Sequence, residues 1–215
     1  MRKIGRSDLK NVYDKLLRHF GPQGWWPGDT RFEIIVGAIL TQNTAWKNVE
    51  KAISNLKAAG ALDSPSAMMK LGQRRIARLI RPAGYYNVKA KRLCNFLRFL
   101  RSRHDFSLDN LSRLKTPLLR QELLSVNGIG PETCDSILLY AFRRPIFVVD
   151  AYTKRIFSRH GLFETGSSYD HIQKIFMDSL LPDHILYNEY HALIVRLGKE
   201  HCRKCPNCAE CPLSG

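Results

Sequence analysis

An all-α fold is predicted for this 215-residue chain by three features of its sequence. Apolar residues recur at spacings of three and four through most of its length, and the breaks in that pattern fall at Gly, Pro, Ser or Thr. Only one short apolar run, Pro145–Val149, reads as extended, so no second strand exists to pair with it. A composition of 44% hydrophobic and 25% charged residues is that of a globular protein, which excludes disordered and fibrous classes.

The elements follow in order. Leu9, Val12, Leu16, Leu17 and Phe20 line one face of a first helix, which Gly21-Pro22 stops. Thr30 caps a second, with Phe32, Ile35, Val36, Ile39 and Leu40 inward. A third runs from about Trp46 to Ala59 and ends at Gly60. Ser64-Pro65-Ser66 opens a short fourth, and Gln73 to Ile80 makes a fifth ahead of Pro82 and Gly84. Lys89 to Arg103 reads as a basic amphipathic helix burying Ala90, Leu93, Phe96, Leu97 and Leu100. Pro117–Leu124 and Pro131–Phe142 flank the turn Val126-Asn127-Gly128-Ile129-Gly130. After Asp150 come a helix to about His160, another over Tyr169–Leu180 and a last over Tyr187–Leu197. The expected organisation is a central helical domain, 28–143, and a terminal one made of 1–27 with 144–215.

Charge narrows the function. Lys and Arg number 34 against 19 Asp and Glu, a formal net charge of +15, which points to a polyanionic partner, nucleic acid ahead of an anionic membrane. No apolar run reaches the roughly 18 residues of a membrane span. The start MRKIGRSDLK is basic with no apolar stretch behind it, so the expected location is the cytoplasm, at the nucleoid in a prokaryote.

Three motifs carry chemistry. The turn Asn127-Gly128-Ile129-Gly130 places backbone N–H groups at the start of a helix, a seat for phosphate, although the same residues also suit a plain helix–helix turn. With no preceding strand, a dinucleotide fold is excluded. Downstream, Phe147-Val148-Val149-Asp150 delivers one carboxylate at the end of an apolar run, and Asp150 suits both an N-cap and a chemical role. At the end, Cys202, Cys205, Cys208 and Cys211 form C-x2-C-x2-C-x2-C, a ligand pattern for zinc or an iron–sulfur cluster. Zinc sites usually join two separated knuckles, so four cysteines at equal close spacing favour a [4Fe–4S] cube. Cys94 and Cys134 read as core thiols.

The run L-x-x-V-x-G-I-G-x-x-T followed by V-V-D resembles the helix-hairpin-helix DNA glycosylases of the endonuclease III superfamily. Ala38-Ile39-Leu40-Thr41-Gln42-Asn43-Thr44, Gly84-Tyr85-Tyr86 with Lys89-Ala90, and the terminal cysteines extend the likeness over roughly residues 10 to 215. The resemblance implies a monomeric base-excision-repair glycosylase with two helical subdomains about a groove, acting on double-stranded DNA that contains a damaged base. It implies that Gly128, Ile129 and Gly130 bind DNA phosphates, that the target nucleotide is flipped out, and that Asp150 stabilises an oxocarbenium-like sugar. Gln42 stands at the family's wedge position, with helix capping as the plainer alternative. Members that also cut the backbone carry a lysine two residues after the second hairpin glycine; here that residue is Glu132, which cannot form an imine, so a monofunctional enzyme is expected. Many members carry a C-terminal [4Fe–4S] loop with spacing C-x6-C-x2-C-x5-C. This chain departs from it, with five residues between Cys202 and Cys208, and Cys205 is expected to supply the remaining ligand.

For the substrate, Gly24-Trp25-Trp26-Pro27-Gly28 ahead of L-T-Q-N-T-x-Trp46 is similar to the 3-methyladenine DNA glycosylase III branch, where the equivalent aromatics line the base pocket. Trp25, Trp26, Pro27 and Trp46 are carried over on that basis, while core cover is the alternative for one of the two adjacent tryptophans. An alkylated purine is positively charged, stacks on electron-rich rings and needs little leaving-group protonation, in keeping with a site whose one evident catalytic group is an aspartate. The rival readings are a glycosylase for oxidised pyrimidines or uracil/thymine mismatches, a non-catalytic DNA-binding module, and a ferredoxin-like electron carrier.

Overall fold

A computed structural model describes residues 3–214, and among them it contains α-helices, short 3-10 segments and one π-helical turn, with no strand. The all-α expectation is met. Among the described residues no helix is long and apolar enough to cross a membrane. The chain divides into two compact units, Pro27–Phe142 and the remainder on either side of it.

The inner unit is built on α2 (Arg31–Leu40), in which every residue but Arg31 and Ile34 is buried, so its short apolar sequence serves as a central rod. Thr30 caps it, its Oγ1 accepting from Glu33 N at 3.1 Å, worth about 1 kcal/mol. Around it come α3 (Trp46–Ala58), α4 (Pro65–Leu79) and α5 (Tyr86–His104). The span numbered α4 is two helical pieces meeting at Gly72, whose φ of 70° is non-helical and is supplied by glycine without strain, so the fourth and fifth expected helices both appear. A short α6 (Leu108–Ser112), capped by Ser107, has too few residues to show a period in sequence. Then follow α7 (Thr116–Leu124) and α8 (Pro131–Ser136). The expected helix to Phe142 stops early as an α-helix: Ile137–Ala141 form a π turn in which all five side chains are buried, a run with no polar face to set a 3.6 period.

The other unit packs α1 (Leu9–Phe20), α9 (Ala151–Arg159), α10 (Tyr169–Ser179) and α11 (His184–Glu200) around an aromatic core. Phe147 stacks on Phe176 at 4.2 Å, and Tyr190, fully buried, donates its hydroxyl to Leu9 O at 2.9 Å. The last helix is longer than expected because Asp183 caps it a turn earlier, accepting from Ile185 N. The run Phe147–Val149 is buried but unpaired with any strand. Its backbone is satisfied by side chains instead, Phe147 O accepting from Gln173 Nε2 at 2.7 Å and Val149 N donating to Tyr169 Oη at 3.4 Å. An apolar stretch thus runs straight to Asp150 and fixes where that residue emerges.

Candidate active site

The hairpin is held from behind. Gly128 has φ 101°, and a Cβ there would lie 2.3 Å from Arg92 Cγ, so glycine is required both by conformation and by contact. Gly130 has ordinary backbone angles, is exposed, and has nothing within 4 Å of a built Cβ. Ile129 is buried beneath the turn. Gln42, following α2, donates Nε2 to Gly128 O at 3.0 Å and to Thr133 Oγ1 at 2.8 Å, and its Oε1 accepts from Arg92. The wedge candidate therefore has its amide engaged on the hairpin in this structure. Asn95 takes Asn127 O at 2.8 Å. The two helices are clamped to each other by a forked ion pair, Arg120 Nε to Asp135 Oδ1 at 2.8 Å and Nη2 to Oδ2 at 3.1 Å, with Asp135 fully buried.

Behind this network lies Lys89, only 1% exposed. Its ammonium donates to Leu40 O and Ala83 O, each at 2.8 Å, and to Thr44 Oγ1, tying the end of α2 to the turn before α5. Burial, assisted by the Arg92 charge, lowers its pKa to about 8. Tyr85, at the same turn, is 74% exposed with φ 45°, a left-handed conformation unusual for a bulky residue. Trp46 begins α3, half-buried, and donates Nε1 to Glu50 Oε1 at 2.8 Å. Glu132 is exposed in the first turn of α8.

In the other unit, Asp150 is the N-cap of α9 and 9% exposed. Its Oδ1 accepts from Thr153 N at 2.7 Å and from Thr153 Oγ1 at 2.9 Å. The second oxygen, Oδ2, faces Nε2 of His191 at 3.6 Å. Burial pushes the His191 imidazole below its usual range against the pull of the Asp150 carboxylate. Trp25 and Trp26 are half-buried with rings edge to face at 5.2 Å, and Pro27 is exposed. The segment leading to the tryptophans is fastened to α11: Gln23 N donates to Glu189 Oε1 at 2.6 Å and Arg196 Nη1 donates to Phe20 O at 3.0 Å.

The terminal loop gathers three of its four cysteines. Cys202, Cys208 and Cys211 line a small cavity of about 20 Å³ together with His160 and His201. Burial raises the Cys211 thiol pKa, and nearby Cys202 and Cys208 charges add to that. Cys205 is exposed and is not among the lining residues. Arg159 lies against the group, 3.3 Å from Cys202 Sγ, while donating to Arg203 O and Lys204 O. Arg155 holds Cys202 O at 2.7 Å. Among the described residues no three His, Cys, Asp or Glu side chains are arranged to hold a metal ion. Four thiols with cationic neighbours are of a type that ligates a cluster, but Cys202, Cys208 and Cys211 do not converge on one ion here and Cys205 lies apart from them.

Sequence reasoning missed His191 and the Arg120–Asp135 clamp, and it met Lys89 only as part of a motif, without its burial. A single histidine on an apolar helix face carries no local signal, and the clamp spans separate helices.

Residues 36–182 match the family described as HhH-GPD superfamily base excision DNA repair protein. The chain is 50% identical over 206 residues to the provisionally named DNA repair glycosylase MJ1434 of Methanocaldococcus jannaschii, covering 95% of this chain and 93% of that one. Among solved structures it is similar to the Helicobacter pylori 3-methyladenine DNA glycosylase bound to 1,N6-ethenoadenine, with TM-score 0.78 and 29% identity over 92% of this chain and 98% of the other. An endonuclease III–DNA complex shares the fold at TM-score 0.82 and 20% identity, covering 98% and 94% of the two chains. The chain belongs to the HhH-GPD superfamily of base excision DNA repair proteins, as a helix-hairpin-helix DNA glycosylase.

Proposed function

We propose that this glycosylase hydrolyses the N-glycosidic bond of an alkylated purine such as 3-methyladenine in double-stranded DNA, with Asp150 as the catalytic carboxylate and no β-lyase step. The observation that carries the proposal is the Asp150 carboxylate itself, nearly buried, with Oδ1 fixed twice by Thr153. A carboxylate so constrained offers preorganised negative charge to a sugar that develops positive charge as the C1′–N bond breaks. The bonding pair leaves with the base, a water oxygen bonds to C1′, and the water's proton is released. An alkylated purine already carries positive charge, so its departure needs no strong general acid.

The substrate class is supported by the paired indoles of Trp25 and Trp26, whose faces suit a cationic base. It is supported also by the likeness to a glycosylase named for 3-methyladenine. Pro27 and Trp46 are assigned to the base by motif. Gly128, Ile129 and Gly130 are assigned to DNA phosphate, and Gln42 to the gap left by the flipped nucleotide, which requires its amide to leave the hairpin. Cys202, Cys208 and Cys211, with Cys205 brought in, would hold a [4Fe–4S] cluster, zinc being the weaker alternative. That group would supply a structural cross-link presenting Lys199, Arg203 and Lys204 to the backbone.

Glu132 supports hydrolysis without strand cleavage, since an exposed carboxylate at the lysine position forms no imine. Borohydride added during reaction with methylated or abasic duplex is expected to trap no protein–DNA adduct, and the strand stays intact until treated with alkali. A robust adduct contradicts the hydrolytic assignment.

A further inference from the structure

The helix α11 meets the site at two places, since Glu189 and Arg196 fasten the segment before Trp25 and His191 meets Asp150. We propose that His191 is the positioning residue of the Asp150 carboxylate, its imidazole seated on the oxygen that Thr153 leaves untouched and setting the plane in which that oxygen is presented to the sugar. The proposal rests on Asp150 being the catalytic carboxylate.

The geometry supports it step by step. A carboxylate held through one oxygen still turns about its Cβ–Cγ bond within the tolerance of two hydrogen bonds. Thr153 supplies both of those bonds to Oδ1, from N and from Oγ1, so neither restrains Oδ2. The 3.6 Å approach of His191 Nε2 supplies a second point of contact, slightly longer than a direct hydrogen bond. His191 is 6% exposed and held in a long helix whose flanking residues Tyr187, Tyr190 and Leu193 are fully buried, so its ring moves little. Burial favours the neutral ring, and a neutral imidazole has a particular merit here. It orients the carboxylate by dipole and contact without cancelling the negative charge on which oxocarbenium stabilisation depends. An arginine or lysine in the same place would hold the group as firmly but would neutralise it.

The role separates from a merely structural one by rescue and by coupling to Asp150. His191→Gln retains a polar group at about the reach of Nε2, His191→Asn falls short of it, and His191→Phe keeps the ring without nitrogen. Purified variants are incubated in excess over methylated duplex DNA, and the single-turnover rate of 3-methyladenine release is measured beside affinity for duplex with an uncleavable abasic analogue. Expected are a roughly tenfold to hundredfold loss of rate in His191→Phe and His191→Asn, affinity within about twofold of the parent, and substantial rescue in His191→Gln. In the Asp150→Asn background, His191→Phe is expected to bring little further loss, because its effect runs through the carboxylate. If His191→Phe fails to fold, the contrast between Gln and Asn decides the matter. Equal rates for those two, parental rates in all three variants, or full additivity with Asp150→Asn overturn the proposal. If Asp150→Asn alone keeps the parental rate, it is the assignment of Asp150 that falls.

Discussion

The hairpin turn and the head of α9 both open a helix, yet they are held in opposite ways. At the hairpin the carbonyls of Asn127 and Gly128 are drawn inward by Asn95 and Gln42, and the two helices are locked by Arg120 and Asp135. Gly130 itself has clear space around it. At α9 the helix is capped by a carboxylate side chain: Oδ1 of Asp150 is engaged by Thr153 and Oδ2 by contact with His191. The hairpin is stiffened through main-chain carbonyls, whereas the α9 head is stiffened through a side-chain carboxylate. If binding belongs to the hairpin and chemistry to Asp150, as proposed, the two rest on different units and different bonds, and substitutions should separate them.

The largest effect is expected for Asp150→Asn. The amide keeps an oxygen for the cap but loses the charge, so single-turnover excision falls by at least about a hundredfold, while duplex binding by gel shift stays within about twofold. Next is the clamp. Asp135→Ala leaves the Arg120 guanidinium without its buried partner, and urea unfolding is expected to show a loss of about 3 kcal/mol. Asp135→Ala therefore lowers binding and excision together, unlike Asp150→Asn. Gly128→Ala strains a positive φ and displaces Arg92, an effect of about 2 kcal/mol. It should weaken binding to damaged and undamaged duplex alike, and by a similar factor across salt concentrations, because no cation is lost.

A smaller, pH-dependent difference concerns Lys89. Its folded pKa of about 8 lies below the ordinary lysine value of 10.5, so above pH 8 the folded chain releases a proton that the unfolded chain still holds. The cost of burying that charge is fully present below pH 8 and fades as pH rises toward 10.5. Compared with Lys89→Met, the parent protein should gain stability between pH 7.5 and pH 10, read as a rise in the urea midpoint difference. A flat difference contradicts the assignment of a strained ammonium.

Much of this was legible in the sequence, for local reasons. Gly128 and Gly130 between two apolar periods announce a hairpin, and Val148-Val149-Asp150 announces a carboxylate at a helix start, because caps and turns are written in neighbouring residues. The Cys202–Cys211 spacing suggested a ligand loop, but the placement of Cys202 depends on Arg155 and Arg159, more than forty residues upstream. His191 was illegible for the same reason: at helical spacing it is one polar residue among Tyr187, Tyr190 and Ile194, and its approach to Asp150 depends on the packing of α11 on α9. Lys89 sits in Lys89-Ala90-Lys91-Arg92, where charge alone cannot tell a solvated lysine from a buried one.

The most direct test is to incubate the purified protein with methylated duplex DNA, identify the released bases by chromatography, and run uracil, thymine-mismatch and thymine-glycol duplexes in parallel. Release of 3-methyladenine with the strand unbroken is the expected result, and it should vanish in Asp150→Asn. Release of a neutral pyrimidine in its place, or the same 3-methyladenine release from Asp150→Asn, would contradict the account.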